Sequence, residues 1–309
     1  MTTPLLHLLL RCSTAFAFLA SCGTAAAAPA EQGTHRGPFD LLIFAPHPDD
    51  EVLGCAGVIQ QALEAKKTVG VVVLTNGDGY PKAASILTGT PQDQLTPADF
   101  LALAAERQRH SVEGFRILGL PLANLTFLGY PDSLLAKLHE SDNAAPLRQP
   151  FTGKDTTYSI IGQDYHSAAH GSPAPITRAA LLADLTEILQ KAAPKEIYVT
   201  HELDEHADHR AAFGFVRAAA QAAGFRAPLH TFIVHGTRQP DLPVVRVPLT
   251  PDQVEKKRVA IKAHQIPIVH DTLPEHARSE ELFFLAPLAD DRYRSPSDSG
   301  PSAGRAPKG

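Results

Sequence analysis

The sequence is poor in the residues that mark several common classes of protein. Of its 309 residues three are cysteines, one is methionine and none is tryptophan. Cys12 and Cys22 lie in the amino-terminal segment, so a processed chain keeps Cys55 and at most Cys22, which excludes a disulfide framework. We predict that Cys55 is a small core residue on the apolar face of a helix.

The sequence also lacks an excess of positive charge and long hydrophobic runs beyond residue 30. The formal net charge of −5 and the pI of about 6.3 give no reason to expect nucleic acid as a partner. No later apolar run has the length of a membrane-spanning helix, which is about 20 residues. The first strand-to-helix turn lacks Gly-x-Gly-x-x-Gly, which disfavours a dinucleotide-binding dehydrogenase. No Gly-x-Ser-x-Gly elbow follows a predicted strand, so nothing indicates a serine nucleophile.

The first 30 residues are typical of an export signal. They hold a single charge, Arg11, followed by an apolar run at 15–20 and a tract of small residues. The segment Leu19-Ala20-Ser21-Cys22 resembles a bacterial lipobox, which would put a lipid anchor on Cys22. Cleavage within 25–30 would instead release a soluble product. We therefore predict an exported protein that is periplasmic, secreted or lipid-anchored at the cell envelope.

An apolar run followed by polar residues organises the rest of the chain. Residues 41–45 have the length and composition of a buried strand, and apolar residues at helical spacing begin at Val52. Between them, on a strand-to-helix turn, lies the segment 47–51, His-Pro-Asp-Asp-Glu. His47 and Asp50 can converge on one cation there, and their nitrogen and oxygen donors suit zinc. Taken alone, the segment fits equally a helix N-cap beside a polar loop histidine.

The order of the predicted elements indicates an α/β fold. Further strands are predicted at 68–75, 124–128, 196–200, 229–234, 244–247 and 281–285, and helices at 100–118, 176–192, 210–223 and 252–264. Strand–helix–strand order with continuously apolar strands favours a parallel sheet. We predict a Rossmann-like, open, mostly parallel sheet with helices on both faces and the active site at the carboxyl edge of the strands.

The domain boundaries follow from composition. Residues 1–30 form the predicted signal peptide, 31–37 a linker, 38–288 one domain and 289–309 a disordered tail rich in proline, serine and glycine. Within the domain, 81–99 has no clear period and is predicted to be a surface excursion. The stretch 141–175 is long and polar, which is usual for a lid, a binding loop or disorder. It holds Tyr165 and His166, which suit a sugar and are assigned to substrate binding.

A second polar cluster repeats the arrangement of the first. Residues 201–209, His-Glu-Leu-Asp-Glu-His-Ala-Asp-His, follow the strand at 196–200 and precede a helix. Two strands of one parallel sheet bring both turns to the same edge. His209 with His47 and Asp50 would then supply three ligands and leave a position open for water, as in catalytic zinc sites.

These motifs resemble the PIG-L/LmbE-like family of zinc-dependent N-deacetylases. The resemblance rests on 47–51 and 206–209, with further similarity at 75–77, at Arg107 and at 128–132, and it spans roughly 40–285. It implies a Rossmann-like fold and hydrolysis of acetyl groups from N-acetylglucosamine-type amines. Ala207 replaces the proline that is usual in the second motif, which loosens the turn without removing a ligand.

The resemblance also implies roles for individual residues. His47, Asp50 and His209 would be the zinc ligands and Asp49 the general base, while His206 would stabilise the oxyanion. Asp208 would orient either His206 or a ligand, and Arg107 falls where the family has a substrate-contacting arginine. Asn76, in the similar turn at 75–77, is placed with Arg107 in substrate binding. Zn2+ is the predicted cofactor, although Fe2+ or Co2+ could occupy the same ligands.

Two other functions stay open at this point. A zinc amidase could act on a non-sugar acylated amine, because the loops at 81–99 and 141–175 would choose the substrate. An exported sugar-binding protein could keep the metal without catalysis, but Asp49 and His206 would then be unnecessary.

Overall fold

A seven-stranded sheet lies at the centre of the computed structural model, which describes residues 37–141, 144–266, 269 and 272–289. The strands are β1 Leu41–Ala45, β2 Val69–Thr75, β3 Leu125–Tyr130, β4 Glu196–Thr200, β5 Leu229–Phe232, β6 Val244–Pro248 and β7 Glu280–Ala286. Their order is β3-β2-β1-β4-β5-β7-β6. The first five in this order are parallel, and β7 pairs antiparallel with both β5 and β6. The prediction of an open, mostly parallel sheet is confirmed.

Helices cover both faces of the sheet, as predicted. They are α1 Asp50–Glu64, α2 Pro81–Thr88, α3 Pro97–Leu118, α4 Leu135–Glu140, α5 Tyr165–His170, α6 Arg178–Ala192, α7 Ala207–Ala222 and α8 Pro251–Lys262. Apolar side chains of α1, α3 and α8 pack on one face, and those of α4, α6 and α7 pack on the other. Each strand of the parallel part is therefore buried on both sides.

Strand β1 shows why these strands are unbroken apolar runs. Leu42 and Phe44 lie in the core on one face of the sheet, whereas Leu41, Ile43 and Ala45 lie in the core on the other. Successive side chains of a strand point to opposite faces, so a strand covered on both faces needs an apolar residue at every position. Cys55, a residue of α1, lies in the same core as Leu41, Ile43 and Ala45. It is a buried free thiol, as predicted.

The structure differs from the prediction in the stretch 81–99, which contains the regular helix α2. Pro81 occupies its first turn, and Gly89 ends it with a left-handed φ of 74°. Ala83 and Ala84 pack in a small core with Phe100. The helix is only eight residues long and buries only these two small side chains, so the sequence analysis did not identify it.

The described part of 141–175 is packed against the body of the protein. A bridge joins Thr156 to Pro175, and Asn76 Nδ2 donates to the carbonyl of Tyr158 at 2.9 Å. Gln108 Oε1 accepts from the backbone N–H groups of Ile160 and Ile161 at 3.1 and 2.9 Å. These long-range polar contacts replace an apolar pattern, which is why the sequence shows no period there.

The predicted signal peptide at 1–30, the lipobox at Cys22 and nearly all of the predicted linker and tail lie outside the described residues. They stay predictions, as does the division of the chain at these points. Within the described ranges, no helix combines the length and the apolar character that crossing a bilayer requires.

Candidate metal centre

Polar side chains that follow the five parallel strands converge at one edge of the sheet. They are Asp49 and Asp50 after β1, Asp78 after β2, Asp132 after β3, Asp204, His206 and His209 after β4, and His235 after β5. Because parallel strands end at the same edge, residues far apart in the sequence meet there. The structure thus brings residues of the two polar clusters together at the edge where they were expected to meet.

Three side-chain atoms form a compact triangle at this edge. His47 Nδ1 lies 3.2 Å from Asp50 Oδ2 and 3.2 Å from His209 Nε2. The third side, between His209 Nε2 and Asp50 Oδ2, is 3.1 Å long. Two ligand atoms on a tetrahedral zinc ion, each about 2.0–2.1 Å from the metal, are roughly 3.3 Å apart. The three predicted ligands are therefore spaced as three ligands of one ion would be.

Carboxylates lie against the outer nitrogens of both histidines. Asp132 Oδ1 is 3.1 Å from His47 Nε2, and Asp204 Oδ2 is 3.1 Å from His209 Nδ1. These are ionic contacts, since neither buried nitrogen has an aligned hydrogen bond. A carboxylate at the outer nitrogen favours a proton there and leaves the inner nitrogen, His47 Nδ1 or His209 Nε2, able to bind a metal.

The buried charge around the triangle is strongly negative. Five carboxylates are each at most 7 % exposed: Asp49, Asp50, Asp132, Asp204 and Asp208. Burial by itself lowers the pKa of His47 and of His209, but the neighbouring carboxylates outweigh burial and raise both, that of His209 to about 9. Buried carboxylates are costly without compensating positive charge. The donor atoms, their spacing and the surrounding charge all fit a divalent cation.

Asp49 occupies a strained turn directly before α1. Its φ of 150° and ψ of −28° lie in a region that favours glycine. Its backbone N–H donates to Glu51 Oε2 at 2.9 Å, and its Oδ2 accepts from Arg107 at 3.0 Å. Asp49 stands at the N-cap position but its side chain makes no capping hydrogen bond. The alternative that the acids of 47–51 serve only as a helix cap is therefore not supported.

The side chain of Glu51 stabilises this turn through hydrogen bonds. It is completely buried, and burial, followed by the charge of Asp49, raises the pKa of its carboxyl to about 8. Ser111 Oγ donates to Glu51 Oε1 at 2.9 Å, while Oε2 receives the Asp49 N–H. Glu51 thus links α3 to the turn and helps to maintain its unusual backbone. No role for Glu51 was predicted from the sequence.

His206 is the N-cap residue of α7, and its ring enters the same cavity. Its Nδ1 accepts the backbone N–H of Asp208 at 3.3 Å. In the neutral ring the proton is therefore on Nε2. Burial, followed by His47 and His209, lowers the pKa of His206 to about 4. The ring centroids of His206 and His47 are 4.7 Å apart, so a neutral N–H donor lies next to the triangle.

Asp208 fastens the start of α7 to the loop after β3. Its carboxylate accepts the backbone N–H groups of Ser133 at 2.8 Å and Ala136 at 3.2 Å. One of its oxygens, Oδ2, also lies 3.6 Å from His47 Nε2. Its contact with His206 is made by the backbone and not by the carboxylate. Of the two partners predicted for Asp208, the geometry favours the ligand His47.

Of the predicted substrate-binding residues, Arg107 reaches the site and Asn76 does not. Arg107 is buried on α3, lines the cavity over the triangle, and donates to Asp49 and to the carbonyls of Gly77 and Pro48. The Asn76 amide is bonded entirely within the protein. It donates to two carbonyl groups and accepts from Gln108 at 2.7 Å. Its role is to hold the loops together.

Tyr165 and His166 also lie away from the cavity. Tyr165 is 2 % exposed and packs in the core under α6, where it anchors the short helix α5. His166 Nδ1 contacts Asp184 Oδ1 of α6 at 2.7 Å. Neither residue is among those that line the cavity over the triangle. The structure therefore does not support their assignment to substrate binding.

A cavity of about 380 Å³ opens over the triangle. Its wall includes residues that sequence analysis did not assign, among them Asp132, His235 and Tyr80. Tyr80, just before α2, is 37 % exposed and presents an aromatic surface. Asp204 was missed as well; it accepts from the N–H groups of Val234 and His235 and so positions the loop after β5. The only signal in the sequence that could have indicated these residues was their position in loops that follow predicted strands.

Fold and site together describe an α/β protein with a candidate mononuclear metal centre at the carboxyl edge of a parallel sheet. The chain belongs to the PIG-L family: the family model described as GlcNAc-PI de-N-acetylase matches residues 42–220. The resemblance seen in the motifs is confirmed. Among curated protein sequences no significant match was found.

Several solved structures share the fold. The A40926 pseudoaglycone deacetylase is 15 % identical with a TM-score of 0.54, over 82 % of this chain and 100 % of that one. A teicoplanin-bound deacetylase of the teicoplanin biosynthetic pathway is 16 % identical with a TM-score of 0.52, over 81 % and 99 % of the two chains. The N,N'-diacetylchitobiose deacetylase of Pyrococcus horikoshii is 19 % identical with a TM-score of 0.49, over 80 % and 84 %. At these identities the first two similarities establish the fold alone.

Proposed function

We propose that this protein is a metal-dependent hydrolase that removes the acetyl group from the nitrogen of an N-acetylglucosamine-type sugar or glycoconjugate. Membership of the PIG-L family supports deacetylation of such sugars. The observation that carries the proposal is that the Asp49 carboxylate and the His206 ring line one cavity together with His47 and Asp50 of the ligand triangle. A protein that only binds sugars needs neither a strained carboxylate nor a neutral histidine beside a metal.

In this proposal His47, Asp50 and His209 hold the ion. Two nitrogens and one carboxylate oxygen suit Zn2+, and Fe2+ or Co2+ could take the same ligands. When bound, the ion would polarise the acyl carbonyl and lower the pKa of a water molecule. Asp132, Asp204 and Asp208 would keep the two histidines in the orientation and protonation state that binding requires.

Asp49 would act as the general base. It lines the cavity, and the hydrogen bond from Arg107 fixes the orientation of its carboxylate. As water attacks the acyl carbon, Asp49 accepts a proton from it. The same group would then pass the proton to the leaving nitrogen, so that acetate and a free amine are released. No covalent enzyme intermediate is required.

His206 would stabilise the oxyanion that forms during the attack. Because Nδ1 accepts the Asp208 N–H, the proton on Nε2 is available to a developing negative charge. The low pKa of this residue keeps the ring neutral at ordinary pH, so it donates a hydrogen bond without competing with the ion for the carboxylates. Neutrality therefore suits the role.

The cavity also bears on the substrate and its location. Its volume of about 380 Å³ is at the small end of ligand cavities, which span about 300–1,000 Å³. We propose that one acylated sugar ring enters and packs on Tyr80, with the rest of a glycoconjugate outside. From residues 1–30 we further propose export, with Cys22 either lipidated or removed, so that the substrates are glycans of the cell envelope or the exterior.

The test is acetate release from a panel of N-acetylated amino sugars and non-sugar amides by the purified mature protein. It is run as isolated, after chelation and after addition of Zn2+. Release from sugars that chelation abolishes and Zn2+ restores is the expected result. Release only from the non-sugar amides would favour the amidase alternative. Turnover that is insensitive to chelation would contradict the proposal.

A further inference from the structure

Two histidines of α5 face two carboxylates of α6, away from the cavity described above. His166 and His170 are four residues apart, and Asp184 and Glu187 are three apart, so each pair projects from one side of its helix. His166 Nδ1 lies 2.7 Å from Asp184 Oδ1, and His170 Nε2 lies 2.8 Å from Glu187 Oε2. The two imidazole centroids are 4.5 Å apart.

We propose that this cluster is a second metal site, suited to Zn2+. His166, His170 and Asp184 can each offer one ligand atom, and these atoms lie within 4.8 Å of one another. Two histidines at this helical spacing bind zinc from one face of a helix, and a carboxylate from a second helix gives a three-ligand set. Ligand atoms on zinc are roughly 3.3 Å apart, so the His166–Asp184 contact opens slightly to admit the ion.

The surroundings assign different roles to the two carboxylates. Asp184 is 1 % exposed, and Tyr130 donates its hydroxyl to Oδ2 at 3.1 Å, which keeps Oδ1 directed at His166. Glu187 contacts His170 through Oε2 and forms an ion pair with Lys191 through Oε1. Asp184 is therefore the ligand, and Glu187 neutralises the ammonium that would otherwise repel a cation. His170 is accessible to solvent and His166 is half-buried, so an ion can enter.

A bound ion would tie α5 to α6. Helix α5 lies within the stretch 141–175, which is also attached through Asn76 and Gln108 near the candidate metal centre. Asp184 connects the two regions, because its partner Tyr130 ends β3 two residues before Asp132. Occupancy of the second site would thus stiffen the segment that packs beside the first, without a ligand being shared between them.

The experiment measures zinc bound per chain after equilibrium dialysis of the intact protein. The wild type should hold about two equivalents and the variant His166→Ala/His170→Ala about one. His209→Ala removes a ligand of the other site and should also hold about one. Failure of the catalytic proposal is thereby separated from failure of this one. His110→Ala is the matched control, because His110 has a carboxylate partner at 3.2 Å but belongs to no candidate cluster in the described chain.

Amide hydrogen exchange of residues 165–170 gives a second measurement. Zn2+ should slow exchange there in the wild type and in His209→Ala, but not in the double histidine variant. A double variant that keeps the wild-type zinc content would overturn the second site. So would a His209→Ala protein that retains no zinc, or exchange at 165–170 that zinc does not alter in the wild type. Asp50→Asn replaces His209→Ala if the latter does not fold.

Discussion

His47 Nδ1 and His209 Nε2 lie 3.2 Å apart although 162 positions separate them in the chain. Two ring nitrogens at this distance repel each other unless a proton or a cation lies between them. Each ring has a carboxylate on its outer nitrogen, which places the proton of the neutral ring there and leaves the lone pair on the inner nitrogen. The arrangement is therefore best explained by a cation shared with Asp50.

Removal of the ion should lower the stability of the protein. Chelation removes a cation from among five buried carboxylates, and ligand linkage at a metal concentration 100 times Kd corresponds to about 2.7 kcal/mol. The Tm measured by calorimetry should fall with chelator and return with Zn2+. His209→Ala should show no such response from this site. An unchanged Tm in the wild type would argue against a metal at the triangle.

Asp49→Asn should abolish most turnover while leaving metal content intact. General-base catalysis contributes typically about 10²–10⁴-fold, so kcat should fall by that range with little change in bound zinc. Asp93→Asn, at an exposed position far along the chain, is the matched control and should behave as wild type. Full activity of the Asp49→Asn variant would contradict the role of Asp49 as general base.

His206→Ala should reduce kcat more than it changes KM. Loss of one oxyanion donor costs about 10²–10³-fold in kcat, because the donor acts chiefly in the transition state. His206→Gln keeps an N–H donor of similar reach and should recover part of the loss. A change confined to KM would instead indicate a role in binding, and an unchanged kcat in His206→Ala would remove His206 from the mechanism.

Tyr80→Ala should raise KM for sugar substrates. An aromatic contact contributes about 0.5–1.5 kcal/mol, so an increase of up to roughly tenfold is expected, with kcat little changed. Tyr165→Phe is the informative comparison, since the sequence favours Tyr165 as a sugar contact but the structure buries it in the core. If Tyr165→Phe raises KM and Tyr80→Ala does not, the sugar does not bind in the cavity beside Tyr80.

Asp78 should make the folded protein less stable as the pH rises. Burial raises the pKa of Asp78 to about 7, above its ordinary value of 3.8. Between these values the folded state binds more protons than the unfolded state, so stability decreases from pH 4 to 7 through this group, by at most about 4 kcal/mol at 1.36 kcal/mol per pKa unit. In Asp78→Asn this component should be absent, and Tm at pH 8 should rise relative to wild type. Asp155→Asn, at an exposed position, is the control.

The ligand triangle could be predicted because its signals are local. His47 and Asp50 share one strand-to-helix turn, and His209 lies on another, so a parallel sheet is enough to bring them together. Asp132 and Asp204 follow strands in the same way, but their roles depend on which histidine nitrogen each one faces. Which nitrogen each carboxylate faces depends on the three-dimensional path of the turns, and the sequence of a turn has no periodic pattern from which that path could be predicted.

The assignments that the structure does not support share another cause. Tyr165 and Asn76 have side chains that suit sugar binding, yet one anchors a helix in the core and the other joins two loops. Residue type indicates what a side chain can contact and not which way it faces. Tyr80 was overlooked for the complementary reason, since the short helix that it precedes was not predicted from the sequence.

The backbone conformation of Asp49 affects which residues evolution can place at position 49. Its conformation is one that glycine adopts freely, and a non-glycine residue in such a region costs about 1–3 kcal/mol. Selection for folding alone would replace the aspartate, whereas selection for the proposed chemistry would retain it. In a copy of this protein released from catalysis, glycine at position 49 would relieve the backbone but would leave the buried Arg107 without its carboxylate, so position 49 should change together with position 107.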